Sequence, residues 1–157
     1  MRANRIVIRA FEPGDAAAFR DINLDWIERF FAVEAKDRET LEQAQARIID
    51  PGGAILMAVE GEAALGCVAL IVMDDDTVEL AKMGVRPAAQ GKGVGRMLVA
   101  GAIARAREMG ARRVYLETNS ALGPALKLYA DAGFVPAVGA PPSPYARADV
   151  QLELRLG

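Results

Sequence analysis

The chain has 157 residues, with 19 basic and 21 acidic side chains, one cysteine and no histidine. This length predicts a single domain spanning residues 1–157, and the net charge of −2 argues against a nucleic-acid-binding protein, which needs a clustered basic surface. The lack of histidine excludes Ser-His-Asp and Cys-His catalysis and removes the commonest zinc ligand, so no metal is expected. Any chemistry must use carboxylates, phenols, lysines, backbone amides or a borrowed cofactor.

Nothing in the chain has the pattern of a targeting segment or a membrane span. The longest apolar run covers residues 63–73, whereas crossing a bilayer takes about 20 residues. Cys67 cannot form an intrachain disulfide, and its apolar neighbours are typical of a small buried side chain. We therefore expect a cytoplasmic protein without membrane contact.

The first half of the chain predicts one strand, two helices and three further strands. Alternation over residues 5–11 predicts a half-buried strand, and Asp15 is a suitable N-cap for a helix that continues or restarts through residues 26–31. A second helix is predicted from about residue 38 to residue 49, where Asp-Pro-Gly-Gly ends it. Strands are predicted at residues 54–59, 63–73 and 77–85, separated by turns at 60–62 and 74–76. Three adjacent aspartates form the second turn, and we interpret them as solvated rather than as a metal site.

The second half alternates helices with strands. Helices are predicted from about residue 95 to 109 and from 124 to 132, each followed by a glycine. Strands are predicted at residues 113–117, 134–138 and 149–156, with a proline-rich loop at 139–144. The order β-α-α-β-β-β-α-β-α-β-β indicates an α/β fold with a mixed sheet and helices on both faces, rather than a doubly wound parallel sheet.

A glycine-rich loop, Gln-Gly-Lys-Gly-Val-Gly-Arg at residues 90–96, lies between a predicted strand and a predicted helix. Backbone N–H groups in such a loop, together with the unpaired N–H groups that begin the helix, form a concave site for a phosphate or pyrophosphate. The dinucleotide-binding fingerprint fails because Arg96 occupies the position of its third glycine. The P-loop fails because Gly93, and not serine or threonine, follows Lys92.

The loop does match the pattern Q/R-x-x-G-x-G/A at Gln90, Gly93 and Gly95. Glu79 lies eleven residues earlier, and Leu-Glu-Thr-Asn at 116–119 precedes Ala-Leu-Lys-Leu-Tyr at 125–129 and Gly-Phe at 133–134. With these features the chain resembles the GNAT superfamily of acyl-CoA-dependent N-acyltransferases, over nearly its whole length and most strongly at 77–134. The resemblance implies a GNAT-like, mostly antiparallel sheet of about seven strands in a single domain, with acetyl-CoA as co-substrate.

The resemblance also implies a role for individual residues. Glu79 would be the general base, directly or through water, and Tyr129 the general acid that protonates the leaving thiolate. Backbone amides near a bulge in the fourth strand would stabilise the oxyanion and pair with the pantetheine arm. The implied coenzyme A site comprises Met83, Gly84, Val85, Gln90, Gly91, Lys92, Gly93, Val94, Gly95, Arg96 and Asn119. Other interpretations are an ordinary strand glutamate for Glu79, tight packing for Gly84 and a helix N-cap for Asn119.

The first helical region and the proline-rich loop supply the candidates for binding the acceptor. Trp26, Phe30 and Tyr145 are candidate acceptor-binding residues, although apolar residues at helical spacing are also typical of a core. Seven acidic and three basic residues in 21–42 favour a cationic amine, unless they form a solvated helical face. We predict acetyl transfer from acetyl-CoA to a primary amine of a small molecule, by direct attack in a ternary complex. Two alternative functions stay open: an acyl-CoA sensor without turnover, and an acetyltransferase that acts on a protein lysine or N-terminus. A homodimer is also possible.

Overall fold

The computed structural model of the protein describes residues 5–157, which contain seven strands and four α-helices. The strands are β1 (Ile6–Ala10), β2 (Ala54–Glu60), β3 (Ala63–Val72), β4 (Thr77–Val85), β5 (Arg113–Thr118), β6 (Val135–Pro136) and β7 (Val150–Arg155). The α-helices are α1 (Ala16–Phe30), α2 (Ala35–Glu42), α3 (Val94–Glu108) and α4 (Gly123–Ala132). This order of elements agrees with the order predicted from the sequence.

All seven strands belong to one sheet, in the order β1-β2-β3-β4-β5-β7-β6. Every neighbouring pair is antiparallel except β4 and β5, which are parallel because α3 crosses between them. The predicted α/β fold with a mixed, mostly antiparallel sheet of about seven strands is therefore confirmed.

Helices cover both faces of this sheet and bury two apolar clusters. On one face, Leu98 and Ala102 of α3 pack with Tyr129 of α4 against β2 to β5. On the other face, Phe19, Ile22 and Ile27 of α1 pack against β2 and β3. Each helix thus presents its apolar stripe to the sheet, as the periodicity of the sequence predicts.

The second helix differs from its prediction at both ends. It begins at Ala35 because Glu34 and Asp37 form a capping box, in which the Glu34 N–H donates to the Asp37 carboxylate over 2.9 Å. It ends at Glu42, and a single π-helical turn over Gln45–Ile49 follows. That wider turn still delivers Ile48 to the apolar cluster, so the apolar spacing was right where the backbone geometry was not.

The sixth strand is also shorter than predicted. Residues 134–138 were expected to form a strand, but pairing with β7 is limited to Val135 and Pro136. Proline cannot donate to a strand ladder. Phe134 is instead buried, with its ring edge-on to that of Tyr129 at 5.8 Å between centroids.

Two irregularities of β4 open the sheet at its centre. The pairing with β3 passes from Cys67–Gly84 to Ala69–Ala81, so β4 carries one extra residue, and Lys82 has a left-handed φ of 53°. The pairing with β5 covers only three residues and ends at Glu79. Beyond Glu79 the two strands are no longer paired, which leaves a cleft between them.

Candidate active site

A cavity of about 770 Å³ occupies the cleft between β4 and β5. Its walls come from the end of α1, the second half of β4, the glycine-rich loop, the start of α3, the end of β5, α4 and the segment 145–148. Among the predicted site residues, the wall contains Trp26, Phe30, Glu79, Met83, Gly84, Val85, Gln90, Gly91, Gly93, Val94, Gly95, Arg96, Asn119, Tyr129 and Tyr145. Lys92, whose side chain is exposed, is the one predicted residue outside this wall.

Glu79 lies at the point where β4 and β5 separate. Burial raises the pKa of its carboxyl from 4.5 to about 7, and the charge of Glu117 adds to this effect while Lys82 opposes it. Glu117 is held by hydrogen bonds from the hydroxyls of Tyr115 (2.9 Å) and Ser143 (2.7 Å). Glu79 is thus a carboxyl group that can exchange a proton near neutral pH.

Glu79 also borders a second cavity, of about 570 Å³, lined by β4, β5, β7 and the loop 138–145. The two cavities share Glu79, Glu117 and Tyr145 in their walls. Glu79 is therefore part of the wall that separates the cleft from this second cavity.

Tyr129 reaches the cleft from α4. The residue is 6% exposed, lines the cavity, and packs its ring against Phe134. Burial raises the pKa of its phenol above the ordinary value, so the hydroxyl stays protonated at neutral pH. A protonated phenol in the wall is a hydrogen-bond donor toward whatever fills the cavity.

The glycine-rich loop has the geometry of an anion site. Gly91 and Gly93 have φ angles of 83° and 79°, a left-handed conformation that side chains disfavour, and Gly93 is the N-cap of α3. The first N–H groups of α3, from Val94 onward, have no partner within the helix. They lie in the cavity wall together with Gln90, which is the placement a phosphate requires.

Gly84 is explained by a close approach of α1 rather than by a ligand alone. A Cβ at Gly84 would lie 2.7 Å from Cδ1 of Trp26 and 2.9 Å from Cγ2 of Ile22. Trp26 is itself held by a hydrogen bond of 3.0 Å from its indole nitrogen to Asn23. The packing of α1 thus accounts for a glycine at this position and brings Trp26 against the strand that lines the cavity, while the place of Gly84 in the coenzyme A site stays a prediction.

We expect Gly84→Ala to destabilise the protein by about 1–3 kcal/mol, because α1 must move to admit the methyl group. Gly14→Ala is the matched control, since a Cβ there meets nothing within 4 Å. Urea denaturation measures both free energies of unfolding. Equal stability of Gly84→Ala and the wild type would show that α1 does not press on β4 in solution.

The side chain of Asn119 forms hydrogen bonds with the backbone of the protein itself. Its amide nitrogen donates to the Arg147 carbonyl over 2.6 Å, and its amide oxygen accepts from the Ala121 N–H over 2.8 Å. The residue lines the cavity, yet both of its polar atoms are occupied in tying the end of β5 to the segment 145–148. A bond to pantetheine stays a prediction.

Three charged residues that sequence reasoning missed meet beside Trp26 and Tyr145 at the cavity. Asp37 of α2 is fully buried, and it accepts from Lys82 over 2.7 Å and from Arg147 over 2.8 and 2.6 Å. Burial acts to raise the pKa of Asp37, but the hydrogen bonds from Arg147 and Lys82 lower it to about 2. We call these three residues the ion cluster.

The turn of three aspartates at residues 74–76 is held by its own hydrogen bonds. Asp74 accepts from the N–H groups of Asp76 (3.0 Å) and Thr77 (2.8 Å). In the described part of the chain, no three acidic, cysteine or histidine side chains lie close enough to bind a metal ion together. Over the same residues, no helix combines the length and apolarity needed to cross a membrane.

The family model for the GNAT acetyltransferases matches residues 19–134, from α1 to the residue before β6. The uncharacterized N-acetyltransferase YjgM of Escherichia coli (strain K12) is 33% identical over 128 residues, which cover 78% of this chain and 75% of YjgM. The chain belongs to the GNAT acetyltransferase family. It is an acetyl-CoA-dependent N-acetyltransferase, as the resemblance implied.

Solved structures share this fold at low sequence identity. A GNAT-family acetyltransferase from Staphylococcus aureus Mu50 superposes with a TM-score of 0.88 at 19% identity, covering 98% of this chain and 100% of that one. The putative acetyltransferase yncA from Salmonella typhimurium, solved with its cofactor acetyl-CoA, gives 0.74 at 24% identity and covers 98% and 95% of the two chains. At such identities the likeness concerns the fold, and the acceptor must be inferred from this chain's own residues.

Proposed function

We propose that this GNAT acetyltransferase transfers the acetyl group of acetyl-CoA to a primary amine of a small molecule, by direct attack in a ternary complex. The observation that carries the proposal is the position of Glu79. Its carboxyl, with a pKa of about 7, lies where β4 and β5 separate, at one end of a cavity whose other end is the glycine-rich loop. The general base and the phosphate-binding site therefore lie in the same cleft.

In this proposal acetyl-CoA lies along the cleft. The pyrophosphate is held by the loop and by the free N–H groups that begin α3, and Gln90 and Arg96 line the same part of the wall. The pantetheine arm follows β4, whose edge is unpaired beyond Glu79. Backbone amides at Met83–Val85, just past the bulge, are the donors for the oxyanion that forms when the thioester is attacked.

Glu79 removes the proton from the amine. An alkylammonium with a pKa near 10 must lose its proton before it attacks, and histidine is absent. A carboxylate with a pKa of about 7 is a stronger base than an exposed glutamate and is still ionised in a large share of molecules at neutral pH. The proton passes to Glu79 directly or through one water.

Direct attack is favoured because the single cysteine of the chain is not placed to act as a covalent nucleophile. Cys67, the single cysteine, is fully buried between β2 and β4, and burial raises the pKa of its thiol to about 12. The thiol therefore stays protonated and out of reach of the thioester at neutral pH, which makes it a poor nucleophile and favours attack by the amine itself.

Tyr129 donates a proton to the departing coenzyme A thiolate, and Tyr129→Phe is expected to lower kcat by about 100-fold or more. The lost hydroxyl serves only the leaving group, so the affinity for acetyl-CoA should change by less than twofold. Thiol release measures kcat, and isothermal titration calorimetry measures the affinity. A variant with wild-type kcat would remove Tyr129 from this role.

A thermal-shift screen followed by thiol release tests the whole proposal. Acetyl-CoA at 100 times its Kd should stabilise the protein by about 2.7 kcal/mol, or roughly 5–10 °C. Thiol release is then measured over a panel of small amines and of peptides with a free lysine or N-terminus. Turnover of small amines supports the proposal, whereas turnover of peptides alone, or of no amine, contradicts it. The cytoplasmic location and the homodimer stay predictions.

A further inference from the structure

Two cationic side chains stand in the cavity wall without a role in the proposed reaction. Lys82 and Arg147 line the cavity, and their side chains are 5% and 13% exposed. Both contact Asp37, which has no exposed surface at all. Charged side chains are seldom buried to this extent unless they are fully paired.

The ion cluster contains one fully buried carboxylate for two buried cations. Two further acids act on these cations: Glu34 meets Arg147 at 3.4 Å with a side chain that is 30% exposed, and the charge of Glu79 reaches Lys82. Glu34 therefore neutralises Arg147 only weakly, and among the described residues Glu79 forms no ion pair with Lys82, so neither acid pairs the cavity side of the cluster as closely as Asp37 pairs its other side. A ligand anion placed there would complete the pairing.

Lys82 and Arg147 also have more N–H groups than their partners in the ion cluster accept. Within residues 5–157, one N–H group of Lys82 reaches Asp37 at 2.7 Å and another the Tyr145 hydroxyl at 3.3 Å, which leaves the third without a partner there. Over the same residues, two of the five N–H groups of Arg147 bond Asp37 and one bonds Glu34, which leaves two.

Aromatic rings hold both cations in place at this end of the cavity. The Tyr145 ring lies 4.6 Å from Nζ of Lys82 and 4.7 Å from Cζ of Arg147. The Trp26 ring lies 5.9 Å from Cζ of Arg147. Apolar rings around a charge exclude water and strengthen its attraction for an anion.

We propose that Lys82 and Arg147 bind a carboxylate of the acceptor, so that the acceptor is a compact molecule carrying both a carboxylate and the amine that is acetylated. The proposal rests on the function proposed above, since it extends the same site. Glu79 and Lys82 are three residues apart on β4, roughly 10 Å of strand, so one small molecule can reach both. Glu34 and Asp37, two of the acids that favoured a cationic amine in the sequence, are occupied by Arg147 and Lys82.

The fluorescence of Trp26 gives a test that does not depend on turnover. Trp26 is the single tryptophan of the chain and contacts Arg147. The protein, saturated with coenzyme A so that the phosphate site is filled, is titrated with α-amino acids, their α-amides and the amines that lack the carboxyl group. For phenylalanine these are phenylalaninamide and phenethylamine. At least one acid should bind ten or more times tighter than its amide and its amine.

Variants then locate the carboxylate. Arg147→Gln should weaken binding of the preferred acid at least tenfold and leave the affinity for its amide unchanged. Arg105→Gln on α3, an exposed arginine outside the cavity, is the matched control and should change neither affinity. If every amide or amine binds as well as its acid, or if Arg147→Gln keeps the wild-type preference, the proposal is overturned. A preference for acids without any thiol release would overturn the proposed function and leave this inference standing.

Discussion

Replacing Asp37 with alanine is expected to lower the free energy of unfolding by about 3–5 kcal/mol, because it leaves two buried cations without their shared carboxylate. For a domain of this size the melting temperature should fall by about 10 °C. Urea denaturation and calorimetry measure the two quantities. Asp21→Ala is the control, since Asp21 is 55% exposed and pairs only with the exposed Arg20.

We also expect the loss of stability in Asp37→Ala to depend on pH. The pKa of Asp37 is lowered to about 2 in the folded protein, below the 3.8 of an unperturbed aspartate. Its contribution to stability is therefore complete above about pH 4 and is lost as the pH falls toward 2. The stability difference between the wild type and Asp37→Ala should shrink over that range. A difference that stays constant down to pH 2, or a loss no larger than that of Asp21→Ala, would show that the ion cluster does not form.

Glu79→Gln is expected to lower kcat/KM by about 100- to 10,000-fold, the usual contribution of a general base. In the wild type, kcat/KM should rise with pH and level off above about pH 7, because the base acts when Glu79 is ionised. The variant should lose this inflection and keep its affinity for acetyl-CoA, which the calorimetric titration reports. A variant with the wild-type rate and pH profile would transfer the role of proton acceptor to solvent.

Stability should respond to Glu79 in the opposite sense to Asp37. The pKa of Glu79 is raised from 4.5 to about 7, so the folded protein binds more protons than the unfolded chain between these values. Wild-type stability should therefore fall as the pH rises from about 5 to 8, and Glu79→Gln should remove that part of the decline. Asp25→Asn, at an exposed residue of α1, is the control and should show the same decline as the wild type.

The part of the site that sequence analysis identified consists of local patterns. The glycine-rich loop, with Gly93 as the N-cap of α3 and Val94 as its first residue, follows from the steric freedom of glycine and the free N–H groups of a helix start. Glu79 was singled out through the resemblance to the GNAT superfamily, since it lies eleven residues before that loop. Such features depend on residues close in the chain, which is why they could be predicted.

The part that was missed depends on contacts between distant residues. Lys82 and Arg147 lie 45 and 110 residues after Asp37 in the chain, so the three residues meet only after folding. Lys82 reaches them from a left-handed backbone position that lysine seldom adopts, and nothing in the neighbouring sequence marks the bulge there. Asp37 also looked like one of several solvated acids, although it both caps α2 and binds two cations.

The central claim is that the cleft between β4 and β5 transfers an acetyl group directly from acetyl-CoA to an amine. One reaction tests it most directly: enzyme, acetyl-CoA and an amine are mixed, and free thiol, acetylated amine and the mass of the intact protein are followed together by mass spectrometry. The account predicts thiol and acetylated amine in equal amounts, with the protein mass unchanged throughout. Acetylated protein that precedes the acetylated amine, or thiol release without acetylated amine, would contradict it.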